Sequence, residues 1–143
     1  MKLTIILAVL LASTLAAAAG SAGAPSFVVI INPANIAALT RDELANIFLK
    51  RITRWNDHAV SILVVDALPD SPVREAFSRA VLHRDVGAME AYWQQQIFSG
   101  RDVPPVQKET DAKIVAFVRK NPNAIGYVSA GAQLDGVQIV SWK

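Results

Sequence analysis

Leu39-Thr-Arg-Asp-Glu-Leu-Ala-Asn-Ile-Phe-Leu-Lys-Arg-Ile-Thr-Arg-Trp55 is the stretch on which the fold turns. Thr40 and Glu43 have the Thr-x-x-Glu spacing of a capping box, in which each side chain satisfies an orphan amide at a helix start. Leu39 and Leu44 flank that start and can close over it as a hydrophobic staple. Leu44, Ile47 and Phe48 follow at i, i+3 and i+4, so one face of the helix is apolar and must pack against a sheet or another helix. The segment therefore predicts a docked amphipathic helix with a basic exit that ends in tryptophan.

Working outward, Phe27-Val-Val-Ile-Ile31 is a β-branched run closed by Asn32-Pro33, and Ile62-Leu-Val-Val65 is a second, closed by Asp66. Both read as strands buried on two faces. With the Thr40 helix between them they predict a strand, helix, strand unit, expected as a parallel pair with a right-handed crossover. A second helix opens with Ser71 as N-cap and Pro72 at the first helical position. Its stripe is Val73, Ala76, Phe77, Ala80 and Val81, which leaves Arg74, Glu75 and Arg79 facing water or a ligand. A third helix is expected from Asp85, burying Val86, Met89, Trp93 and Ile97 before Ser99-Gly100 stops it. Residues 101–108, with Pro104-Pro105, read as an irregular connection. A fourth helix from Thr110 buries Ile114, Phe117 and Val118 and ends before Asn121-Pro122. Strands at Ile125 to Ser129 and Val137 to Trp142 complete the chain.

Three segments carry a family resemblance: the Leu39 stretch, Asp70-Ser-Pro-Val-Arg-Glu-Ala-Phe77, and Asn121-Pro-Asn-Ala-Ile-Gly-Tyr-Val128. Together they resemble the phosphate-binding component of bacterial ABC transporters, within the periplasmic binding protein superfamily. That family has a Leu-x-x-Ile-Phe-x-Gly-Lys-x-x-x-Trp helix, an Asp-Gly-Ser-Gly-Thr anion loop and a Gly-x-Ile-Gly-Tyr strand in this order within one of its two lobes. The resemblance implies an α/β fold: a single lobe of the type II periplasmic-binding-protein-like kind, with a central mostly parallel sheet flanked by about four helices. It spans about half of a full binding protein. Where the family usually has glycine at the helix exit this chain has Lys50, so the exit geometry is expected to differ.

The chain has 143 residues, 14 basic against 12 acidic, and no cysteine. Residues 1–24 have the layout of a secretory signal peptide: Lys2, an apolar run, then small residues, with cleavage expected near 19–24. The competing reading is a permanent membrane anchor, since the apolar run approaches a bilayer span. Residues 25–143 then form one domain, too short for two. Loss of Lys2 brings the net charge close to neutral, which gives no electrostatic footprint for nucleic acid. His58 and His83 are the only histidines; no metal-ligand cluster, nucleophile elbow, Ser-His-Asp pattern or glycine-rich phosphate loop stands out, so neither a metal, a cofactor nor a catalytic residue is expected. Lys50, Arg51 and Arg54, interleaved with Trp55, read as a solvated helix end whose cations favour the dipole.

The anion-binding candidate is the Ser71 helix start, where a helix N-terminus after a strand presents free amides and partial positive charge. Laid on the family motif, Ser71 matches its serine and Phe77 a phenylalanine six residues on. Pro72 replaces the second glycine and has no amide to donate; Val73 replaces the threonine and has no hydroxyl. The upstream arginine and aspartate fall on Ala67 and Pro69, and a one-residue slip puts Asp70 in the aspartate role. The expected ligand set is thus Ser71, the Val73 and Arg74 amides, the Arg74 guanidinium and Asp70. The competing reading is that Ser71-Pro72 only opens a helix. The expected function is an exported, non-enzymatic, solute-binding-like protein with a degraded site, weakly holding phosphate or another oxyanion, whose partners are a second chain completing the cleft or a membrane transporter. A cell-envelope interaction module that kept the fold and lost the ligand is the alternative. Export is testable directly: mass spectrometry of the periplasmic protein should show a chain beginning near Gly20 or Pro25, and an intact Met1 in the membrane fraction would refute it.

Overall fold

A computed structural model describes residues 26–35, 38–55 and 60–143. The signal segment and His58 lie outside the described residues. Five strands, β1 (Phe27–Ile31), β2 (Leu63–Ala67), β3 (Val106–Lys108), β4 (Ala124–Ser129) and β5 (Gln138–Val140), form one mixed sheet in the order β3-β2-β4-β1-β5. The helices are α1 (Arg41–Phe48), α2 (Pro72–Phe77, running on as a π-helical turn over Ser78–Leu82), α3 (Val86–Phe98) and α4 (Asp111–Lys120).

The expected capping box is present: Glu43 N–H donates to the Thr40 hydroxyl, and the Glu43 carboxylate accepts from the Thr40 amide at 2.8 Å. The Thr40 amide and hydroxyl both donate to the Glu43 carboxylate and hold it below its ordinary pKa. Leu44, Ile47 and Phe48 are the buried face, as the spacing predicts. At the exit Lys50 adopts φ 54°, the left-handed conformation in which glycine carries no Cβ penalty.

The pairing of β1 differs from expectation. It runs antiparallel to both β4 and β5, whereas β2 is parallel to β3 and β4, so β1 and β2 are antiparallel and separated by β4. A β-branched run reports burial on both faces but not direction, and the crossover rule applies only once two strands are known to be parallel. Four strands still point one way, with β1 alone reversed. The connection 101–108 also contributes a short edge strand, β3, where a loop was expected.

Successive strand residues face opposite sides of a sheet, and β4 shows what covers each. A Cβ at Gly126 would come within 2.6 Å of Val65 Cγ1 and 3.1 Å of Ile114 Cγ2, so α4 packs close on that face. Tyr127 faces the other side, where its ring stacks on Phe77 of α2 at 3.9 Å and lies 5.6 Å from Phe48 of α1. Phe27 meets Phe77 edge-on at 5.4 Å, joining β1 to the same aromatic cluster. The sheet is thus sandwiched between α1 and α2 on one side and α4 on the other.

Two expected faces shift. In α2 the stripe holds for Val73, Phe77 and Val81, but Ala80 is exposed and Ser78 buried, because the wider π turn rotates the phase of the last residues. In α3 only Met89 and Trp93 are buried, in a small cluster with Leu49, while Val86 is half-buried and Ile97 is 53% exposed. Large-to-small changes in the main core should be severe. Phe77→Ala is expected to cost about 3–5 kcal/mol in urea denaturation, in one cooperative transition; a loss under about 1 kcal/mol would show that the Phe77 contacts carry no load.

Candidate functional site

The carboxyl ends of β2, β3, β4 and β5 share one edge of the sheet, the edge outside which open α/β sheets bind ligands. The β2–α2 connection lies there. Leu68 carbonyl accepts from Ser71 N–H at 3.0 Å, closing a turn that exposes Asp70. Ser71 occupies the N-cap position, but its hydroxyl makes no capping bond. Pro72 stands at the first helical position. The Val73 side chain is buried, and its amide has no partner within the described residues.

Arg74 is placed differently from the outward position expected of it. Its side chain is 2% exposed. Nη1 lies 2.5 Å from Asp66 Oδ2 and donates to the Ala67 carbonyl at 2.9 Å. The Arg74 amide is also engaged, donating to the Ser71 carbonyl at 3.0 Å. Helical spacing put Arg74 off the apolar stripe, yet in a short helix laid over a strand end the N3 position turns toward the sheet, where Asp66 receives it. Of the expected donors, the Ser71 hydroxyl and the Val73 amide are the ones without a partner among the described residues.

Asp66 and Tyr127 complete this cluster, although neither belongs to the expected ligand set; Tyr127 is a buried strand residue of β4. Asp66 Oδ1 accepts from the Ala67 amide at 2.9 Å and from the Tyr127 hydroxyl. Burial pushes the Asp66 carboxyl up from its ordinary pKa, and the Arg74 guanidinium, the Tyr127 hydroxyl and the Ala67 amide pull it back. Since an arginine keeps its proton in proteins, a neutral Asp66 would leave a buried cation uncompensated; the pair stands as an ion pair near neutral pH. Burial, with the Asp66 charge beside it, raises Tyr127 far above the usual phenol range, so its hydroxyl remains a donor. The available signal was an aspartate ending a β-branched run, since a carboxylate at a buried strand position is almost always paired.

The basic exit of α1 separates into individual roles. Lys50 pairs with Asp102 at 3.4 Å, and Trp55 Nε1 donates to the Asn123 carbonyl at 3.1 Å.

Comparison with known proteins accounts for the architecture. The solved structures that match include an ABC-type phosphate transport receptor from Vibrio cholerae (21% identity, TM-score 0.63). They also include a putative phosphate ABC transporter substrate-binding protein with bound phosphate from Clostridium perfringens (26%, 0.64) and PstS from Borrelia burgdorferi (18%, 0.65). Each alignment covers 82% of this chain but only 46%, 44% and 47% of those chains, respectively, so the chain spans less than half their length. No curated protein sequence matches it.

The buried pair generates a two-part prediction. Arg74→Ala strands the Asp66 carboxylate and should cost about 3–5 kcal/mol, whereas the double change Asp66→Leu with Arg74→Met should recover most of that loss, because apolar replacements of a buried pair are often neutral or stabilising. Urea denaturation of the three proteins checks it; a single variant as stable as the parent would show that the pair is not intact. A family model described as a PBP superfamily domain matches residues 16–141, and the chain belongs to the periplasmic binding protein superfamily.

Proposed function

We propose that this chain is an exported, non-enzymatic, solute-binding-like protein of the phosphate-binding type whose own anion site is degraded. The observation that carries the reading is the inward turn of Arg74: the guanidinium from the first turn of α2 is bonded to Asp66 and the Ala67 carbonyl. Pro72 has no amide and Val73 no hydroxyl, so an anion at this helix start meets the Ser71 hydroxyl and the Val73 amide alone. Support for the ligand class comes from the matching structures, among them a phosphate transport receptor and a binding protein with phosphate bound. Binding proteins with two lobes enclose ligand by closing about a hinge. One lobe leaves it in solvent, where each ion pair contributes only about 0–1 kcal/mol. Firm capture would then need a second chain to complete the cleft, or delivery to a membrane transporter that does so.

Isothermal titration of the purified chain with phosphate should give a dissociation constant of about millimolar or no heat, since each tenfold in affinity needs about 1.4 kcal/mol that the missing donors do not supply. Heat that is seen should vanish in Ser71→Ala, a variant that leaves the Arg74 pair untouched. Micromolar binding by the isolated chain would overturn the degraded-site reading.

A second reading, an interaction module of the cell envelope, is favoured by the end of α3. Phe98 is 92% exposed, with Ile97 at 53% and Val103 at 59% close by in sequence.

A further inference from the structure

A groove separate from the Ser71 helix start lies between the outer face of α1 and the exit of the π turn, enclosing about 330 Å³. The half-buried Ala45 and Leu82 supply apolar surface within it, over the buried Leu49 and Val81. Arg41, Arg51, His83 and Arg84 supply its basic groups. Among the described residues two carboxylates lie near these cations, and both are engaged: Asp42 pairs with Arg41 at 2.7 Å, and Asp85 accepts from the Ala88 amide at 2.7 Å as the cap of α3. His83 has φ 50° and ψ 36°, a left-handed conformation uncommon outside glycine, and its Nε2 accepts from Arg41 Nη1. The Arg84 guanidinium lies over the Tyr92 ring at 5.4 Å. The Arg51 side chain has no partner among the described residues.

With Asp42 held by Arg41 and Asp85 engaged as the cap of α3, Arg51 and Arg84 are the cations left to meet an incoming anionic group. From Arg41 to Leu49 the groove follows α1 for about 12 Å at 1.5 Å per residue. A single compact oxyanion does not span that length, whereas about four residues of extended peptide do, at about 3.3 Å each. An inorganic anion would also leave the apolar surface unused. We propose that this groove binds an acidic peptide segment of a partner protein, with carboxylates flanking one apolar side chain. The guanidinium fork grips both oxygens of a carboxylate, and the half-buried Ala45 and Leu82 accept the apolar side chain. This proposal does not depend on the Ser71 site: its residues differ, and Arg51 and Arg84 touch neither Asp66 nor Arg74.

The test is fluorescence anisotropy of the purified chain with a labelled Asp-Glu-Leu-Glu-Asp peptide, and with its Lys-Arg-Leu-Arg-Lys counterpart as control. Expected is saturable binding of the acidic peptide alone, with a dissociation constant of about 0.1 mM at low salt. It should weaken steeply as salt shortens the screening length to about 8 Å at physiological ionic strength. Arg51→Glu and Arg84→Glu should each weaken it by about tenfold or more with unchanged thermal melts, since like charges facing one another suppress association. Should Arg84→Glu perturb folding, Arg51→Glu decides alone, because its side chain holds no partner among the described residues. Failure of the peptide to bind, binding indifferent to Arg51→Glu, or tighter binding of inorganic pyrophosphate or phosphatidylglycerol vesicles than of the peptide would each overturn the proposal.

Discussion

A guanidinium inside a protein core is tolerable only beside a carboxylate, and the Arg74–Asp66 pair is the constraint around which the rest is arranged. Asp66 belongs to β2 and Arg74 to α2, so the pair joins both sides of the connecting turn. Tyr127 brings in β4 by donating to the same carboxylate, and its ring is the surface on which Phe77 stacks. Strand, turn, helix and neighbouring strand are thereby held in one register by three polar side chains and one aromatic pair. The same geometry determines what the turn can offer outward: a side chain directed at Asp66 is not directed at solvent.

The π turn gives α2 its second consequence. Inserting the wider turn after Phe77 keeps Val81 against the core while turning Ala80 out, and the segment then ends abruptly in the left-handed His83. That reversal sends the chain into α3 and presents His83 and Arg84 beside the face of α1. The basic groove is therefore a by-product of how the core helix is terminated. Nothing in the charge count of the chain foretells it.

Much of the architecture was legible in the residues. The Thr40–Glu43 box, the Leu44, Ile47 and Phe48 face, the Ser71-Pro72 helix opening and the β-branched runs all correspond to elements observed, because each rests on local chemistry within one or two turns. Strand direction was not legible, since the pairing of Phe27–Ile31 is decided by β4, about a hundred residues away in sequence. The inward turn of Arg74 was hidden for a related reason: helical spacing assigns a face but not what lies over it, and Asp66 lay outside the helix being read. The buried state of Asp66 could have been suspected, given the rarity of unpaired carboxylates at strand positions. The left-handed Lys50 sits where the family resemblance implies a glycine, and the spacing of the helix alone gave no sign of that conformation.

The attachment of α3 bears on how the molecule opens. Met89 and Trp93 contact Leu49 in a cluster apart from the main core, and the Tyr92 hydroxyl donates to the Leu49 carbonyl at 3.2 Å. Most of the other side chains of this helix border solvent. Segments with few buried apolar contacts unfold below the free energy of the whole domain. The amides of α3 should therefore exchange with solvent through detachment of this helix alone, while those of β1, β2 and β4 exchange only when the sheet itself comes apart. A partner that grips α3 would raise the protection of one helix and leave the sheet's unchanged, a signature that separates local docking from general stabilisation.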